Sequence, residues 1–252
     1  MYTTYRLIGY LCVLCLVTSS ILAQSFSHLK TLKTPAGTLH YNAEVTRIIN
    51  RPDPSLSEFT PFGEPILVLA ETELDRKTAK KYLIAYDPGP SDDPSYLVLD
   101  AANRKAIKVV ASLWALNLVV ASNGLLYTSG HTNTMYDKHC KYELERDTIV
   151  EVKQPFYYIG LASELYKPFT LYADREMTQP IAQLPKGSKV TVVLAEEYPN
   201  PDMPDYPFER FLFATPFGLT GWTRIESMQA DGSDDPAAEY MTGVKGIYFA
   251  GD

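Results

Sequence analysis

The chain has 252 residues, 46% of them hydrophobic, and its 30 acids against 23 lysines and arginines leave a net charge of −7. That length suits one large or two modest domains with a buried core, and the acidic balance argues against nucleic acid and anionic membrane surfaces as partners. The chain has three cysteines, Cys12, Cys15 and Cys140.

Residues 1–23 read as a secretory signal. Arg6 supplies a charged start, Leu7 to Val17 is apolar, and Thr18-Ser19-Ser20-Ile21-Leu22-Ala23 ends on a small residue suited to cleavage. The apolar run is short for crossing ~30 Å of hydrocarbon, so no integral membrane segment is expected after cleavage. Leu11 precedes Cys12 and Leu14 precedes Cys15, so neither has the small neighbour of a bacterial lipoprotein site. Cleavage before Gln24 removes one charged side chain, Arg6, leaving 229 residues with a net charge of −8. Cys140 is then the only cysteine, and no internal disulfide can form. That is ordinary for a bacterial exported protein and unlike a small eukaryotic secreted domain. The expected location is therefore exported, periplasmic or extracellular.

Residues 24–160 read as an N-terminal β domain. Leu39–Ile49 contains alternation, and Arg51-Pro52-Asp53-Pro54-Ser55 reads as a loop. Strands are expected over Ile66–Glu71, Lys81–Tyr86, Tyr96–Asp100 and Ala106–Val110, with breaks at Asp87–Pro90 and Ala101–Lys105. Leu116–Val120 and Gly124–Tyr127 flank Asn123-Gly124, the dipeptide most typical of tight hairpins. Tyr142–Glu145 and Thr148–Val152 follow. No long segment has a 3.6-residue period, so the prediction is an antiparallel sandwich or meander. A propeller needs at least four blades, more than roughly 130 residues can supply, and no fixed repeat is visible. At the domain junction, Phe156 and Tyr157 are neighbours and would face opposite sides of a strand.

Residues 161–228 change character. Phe169–Tyr172 alternates, Pro185-Lys186-Gly187-Ser188 is a turn, Lys189–Leu194 is rich in valine, and Arg210–Ala214 and Thr220–Ile225 are apolar runs. Five short strands in about 60 residues, punctuated by glycine and proline, predict a small barrel. The runs "LYAD…PIAQLPKGSKVTVVL" and "GLTGWTRI", within 166–225, resemble a bacterial SH3-like (SH3b) domain. The second run matches that family's closing signature at Gly221, Trp222, Thr223 and Ile225. The family's Trp-Tyr pair is replaced here by Phe208–Phe211, and the loop Glu196–Phe208 is longer than usual. The resemblance implies a small β-barrel that binds cell-wall peptide or an envelope protein, with Tyr198, Tyr206 and Trp222 beside its groove. It also implies that Trp222 is largely buried. Residues 229–252 comprise an acidic linker, Asp231–Glu239, and an apolar end, Ile247–Ala250, expected to dock back as a strand or on a core.

Catalytic signals are weak. Cys140 follows His139 and heads into a strand, whereas a cysteine nucleophile favours a helix start and a positioned base. No histidine follows it. His131, Asp137, His139 and Cys140 lie close together without zinc-site spacing, and adjacent His139 and Cys140 would point to opposite faces. The acidic loops at Asp92-Asp93 and Asp231–Asp235 lack an ordered calcium-loop pattern. No catalytic residue, metal site or cofactor is assigned. The expectation is an all-β, two-domain, non-enzymatic binding module of the bacterial envelope. Its alternatives are a cell-wall hydrolase with catalysis in 24–160, or a purely structural protein.

Overall fold

The structure is a computed structural model that describes residues 26–59, 65–89, 93–100, 102–103, 107–198, 208–225 and 242–250. The signal at 1–23, Tyr206, and the acidic stretch 231–239 lie outside the described residues. The fold is all-β, as the absence of helical periodicity predicted, and the described strands form three sheets.

The first eleven strands are β1 (Lys30–Lys33), β2 (Thr38–Tyr41), β3 (Thr46–Asp53), β4 (Ile66–Glu73), β5 (Lys81–Asp87), β6 (Ser95–Asp100), β7 (Lys108–Trp114), β8 (Asn117–Val120), β9 (Leu125–Gly130), β10 (Lys138–Glu145) and β11 (Thr148–Glu151). Strands β3 to β7 form a five-stranded antiparallel meander in chain order, and the second sheet runs β1-β2-β8-β9-β10-β11. Sandwich and meander thus coexist. The two sheets share one core, where Leu39, Leu118 and Leu126 meet Leu69, Ile84, Tyr96 and Val98. The Tyr96 hydroxyl lies 2.9 Å from the Leu116 carbonyl and 3.1 Å from that of Thr38, tying the meander to the second sheet's backbone. Burial pushes its pKa up to about 12, so it remains a donor.

The meander's other face is also covered. A 3-10 turn, Pro54–Phe59, brings Leu56 over Ile66, Val68, Leu83, Ala85, Leu97 and Leu99. Burial on both faces explains why 66–70, 82–85 and 96–99 are unbroken apolar runs rather than alternating ones. Two predicted boundaries shift. The run 39–49 is broken at 42–45, where the Asn42 side chain accepts from the Glu44 N–H at 3.0 Å. The loop expected at 51–55 is partly strand, because β3 continues through Pro52. It can do so because β3 is an edge strand, the position where proline is tolerated within a sheet.

The third sheet is built from β12 (Tyr157–Glu164), β13 (Phe169–Tyr172), β14 (Pro180–Leu184), β15 (Lys189–Tyr198), β16 (Phe208–Ala214) and β17 (Thr220–Ile225), in the order β12-β15-β16-β17-β13-β14. The five strands expected from 166 to 225 are β13 to β17. The ladder does not close into a barrel: β12 and β14 remain edges. The sixth strand, β12, takes the place beside β15 where closure would have to occur. The sheet still surrounds a single core, in which Phe169 of β13 packs on Phe213 of the non-adjacent β16, ring centres 5.9 Å apart. Met135 and Tyr136, from the loop before β10, enter the same core.

The C-terminal stretch 242–250 also packs there, through Val244 and Ile247. It makes single bridges, Leu165 with Val244 and Thr134 with Ala250, rather than a strand. His131 pins it by donating from Nε2 to the Tyr248 carbonyl at 2.7 Å. Burial holds the His131 pKa below its ordinary value, consistent with a neutral ring in that role.

Candidate binding face

Strand alternation decides what the third sheet shows to solvent. Tyr157, Ala195, Phe211 and Thr223 form one cross-strand row on the core side, and all four are buried. Their neighbours Tyr158, Leu194, Leu212 and Trp222 form the adjacent row, with Tyr172 beside Trp222 on β13. Neighbouring residues on a strand point to opposite faces, so this second row lies on the outer face. None of its members is fully buried, and Tyr158 is 74% exposed.

The expectation that Trp222 is largely buried is therefore corrected. Gly221, Thr223 and Ile225 take the inward positions of β17, and Trp222 is half-buried on the other side. Glycine is required at 221 because β13 crosses closely there: a Cβ would lie 2.8 Å from the Leu171 Cβ. The indole packs against Phe156, centroids 6.0 Å apart and planes tilted by 40°. Arg175 caps the same phenyl ring, its guanidinium carbon 5.3 Å from the centroid, a cation–π arrangement.

Arg175 is placed by its loop. Asp174 accepts from the N–H groups of Thr178 and Gln179 at 3.0 and 2.8 Å, closing the connection between β13 and β14. Those donors hold the Asp174 carboxyl below its ordinary range. Arg175 then reaches Glu196 through Nε at 3.1 Å and through Nη2. Glu196 is only 8% exposed and also faces Arg210, 3.6 Å away. Its register partners are Arg210 on β16 and, beyond it, Arg224 on β17. The outer face therefore carries an aromatic and aliphatic row beside a charged row. On the other side of the apolar row lie the small residues Ala162, Thr191, Ala214 and Thr220.

The other predicted groove residues are placed differently. Strand β15 runs four residues past the expected Lys189–Leu194, so Glu196, Glu197 and Tyr198 belong to the strand rather than the following loop. Tyr198 pairs with Phe208, four residues along from Leu194, which lies in line with Trp222. Four strand residues span about 13 Å, so Tyr198 and Trp222 do not share one position on the face. Sequence reasoning missed Arg175 and Glu196, because only long-range pairing brings them beside Phe156 and Trp222.

The thiol candidate is not activated. Cys140 is half-buried against the C-terminal core, and burial pushes its pKa up. His139, exposed and 3.3 Å from Asp137, lies on the opposite side of β10. On the core side, Lys138 forms an ion pair with Glu197 and lies 4.5 Å over the Tyr157 ring. Burial opposes the Lys138 charge, but Glu197 more than offsets it and holds the pKa above its ordinary value. This cluster joins β10 to β12 and β15 and has the character of a structural junction. Among the described residues, no three His, Cys, Asp or Glu side chains are grouped to hold a metal, and no helix is long and apolar enough to cross a membrane. Neither family models, curated proteins nor solved structures include a match to this chain.

Proposed function

We propose that this is an exported protein of the bacterial envelope, acting without catalysis as a binding module for cell-wall peptide or an envelope protein. The ligand surface is the outer face of the third sheet. The observation that carries this reading is Trp222, turned away from the core and packed on Phe156, whose ring Arg175 caps. From Tyr158 to Trp222 the row crosses three strand spacings, about 14 Å, enough to lie along an extended segment of about four residues. Arg175, Arg210 and Glu196 beside it offer charged hydrogen-bonding groups. The resemblance of 166–225 to SH3b modules supports the same choice of domain, and the raised pKa of Cys140 supports a non-catalytic role.

Co-sedimentation with insoluble peptidoglycan tests the proposal, with envelope proteins cross-linked to the chain as the second arm. Trp222→Ala and Tyr158→Ala should each lower capture, and unchanged capture by both would sink the assigned face. The export component is tested by N-terminal sequencing of envelope-fraction protein, expected to begin near Gln24. An intact Met1 on cytoplasmic material would refute it.

A further inference from the structure

Net charge conceals a basic corner at one end of the third sheet. Four connections meet there. Lys245 N–H bonds to the Glu164 carbonyl at 3.0 Å and Tyr166 N–H to that of Gly243 at 2.8 Å, joining the C-terminal stretch to the end of β12. Gly187 N–H bonds to the Leu165 carbonyl at 2.7 Å, bringing in the turn before β15. The turn between β16 and β17 completes the group: Thr215 and Pro216 line the same open cleft of about 530 Å³ as Glu164, Lys189 and Lys245. Across 164–168, 185–191, 214–220 and 242–248 the charged residues are Lys167, Lys186, Lys189, Lys245 and Glu164. Four lysines against one glutamate make a local charge of +3 on a chain whose total is −7. All four lysines are exposed; Lys189 is paired with Glu164.

Phe217 stands at the tip of the β16–β17 turn and is 93% exposed, the most exposed of the large apolar side chains described. The turn is tightly built, with Thr215 N–H bonded to the Leu219 carbonyl at 2.8 Å and Gly218 N–H to that of Thr215 at 2.9 Å. Gly218 sits at φ 92°, a conformation that glycine accepts at little cost. A hydrogen-bonded turn therefore presents an exposed phenyl ring at the same end of the sheet as the lysines.

We propose that this corner docks on an anionic phospholipid surface. Lysine ammonium groups at the headgroup level attract anionic lipid, and their alkyl stems tolerate the interface. A protruding aromatic ring enters the boundary between headgroups and acyl chains. The lysines alone would suit any polyanion. Phe217 favours lipid, because a hydrated polyanionic chain offers a phenyl ring no apolar medium. The corner is distinct from the row containing Trp222, so docking would leave that face turned toward the wall or another protein.

The test uses the purified full chain and vesicles of phosphatidylcholine alone or mixed equimolar with phosphatidylglycerol, read by co-sedimentation. Binding should be at least ~10-fold stronger to the mixed vesicles at about 0.1 M salt and weaken sharply at about 0.5 M. Phe217→Ala should lower binding by ~10-fold, and the double change Lys186→Glu with Lys245→Glu should abolish it. All three positions are exposed, so an unchanged melting temperature confirms that folding is intact. Equal binding to both vesicle types, or none to either, would overturn the proposal. So would loss on lysine reversal with no effect of Phe217→Ala, the pattern of a polyanionic polymer. Peptidoglycan capture by Phe217→Ala should be unchanged, which keeps this result separate from the ligand face.

Discussion

Replacing Trp222 by alanine separates the outer face from the core. A truncation in a sealed core loses transfer free energy and leaves a cavity, which together cost about 3–5 kcal/mol for a Phe or Trp. Phe213, 0% exposed on the neighbouring strand, is the internal standard for that case. Trp222 is half-buried on an open face, with Phe156 on one side. Solvent can fill the vacated space on an open face, so the cavity contribution largely disappears. About 100 Å² of apolar contact at about 25 cal/mol per Å² leaves a loss of about 2.5 kcal/mol. Urea denaturation of Trp222→Ala and Phe213→Ala, followed by fluorescence or circular dichroism, measures both. Trp222→Ala should be the milder by about 1–2 kcal/mol with an unchanged slope, yet lose peptidoglycan capture. Equal destabilisation by the two changes would mean that the indole belongs to a sealed core and that the outer-face reasoning is wrong.

Cys140→Ser should keep fold and ligand capture at a cost of about 1 kcal/mol or a little more, because the thiol packs against the core without an activated charge. Native Cys140 should also react slowly with iodoacetamide at neutral pH; rapid alkylation, or loss of function in the serine variant, would contradict this. Acid stability follows from carboxyls whose folded pKa is depressed. Asp100 is held down by Lys80, 2.8 Å away, and by the Ala102 N–H. Burial pushes the Glu151 carboxyl up, but Lys153, Lys138 and the Tyr157 hydroxyl more than offset it, leaving it below its ordinary value. The stabilisation from both is therefore present above the unfolded-state values and lost as pH falls below about 4. Melting temperatures recorded from neutral to acid pH should fall there, and Asp100→Asn with Glu151→Gln should flatten that fall; an unchanged acid slope in the double variant would refute it.

Much of the β architecture was legible locally. Valine-rich and alternating runs marked most of the strands, Asn123-Gly124 marked the β8–β9 hairpin, and Gly or Pro marked the breaks of 166–225, because these signals depend on the backbone preferences of neighbouring residues. A two-residue period shows that a strand has two faces, but not which face will be covered. Only tertiary pairing decided that Gly221 and Thr223 face inward while Trp222 faces out, since β13 crosses too close to 221 for any Cβ. Long-range packing likewise decided that Leu56 covers the meander's second face, and that Met135 and Tyr136 belong to the C-terminal core. It also decided the charge pattern. Composition determined a net of −7 as a sum over the chain; which lysines become neighbours depends on where the connections converge, through contacts as distant in sequence as Glu164 with Lys245.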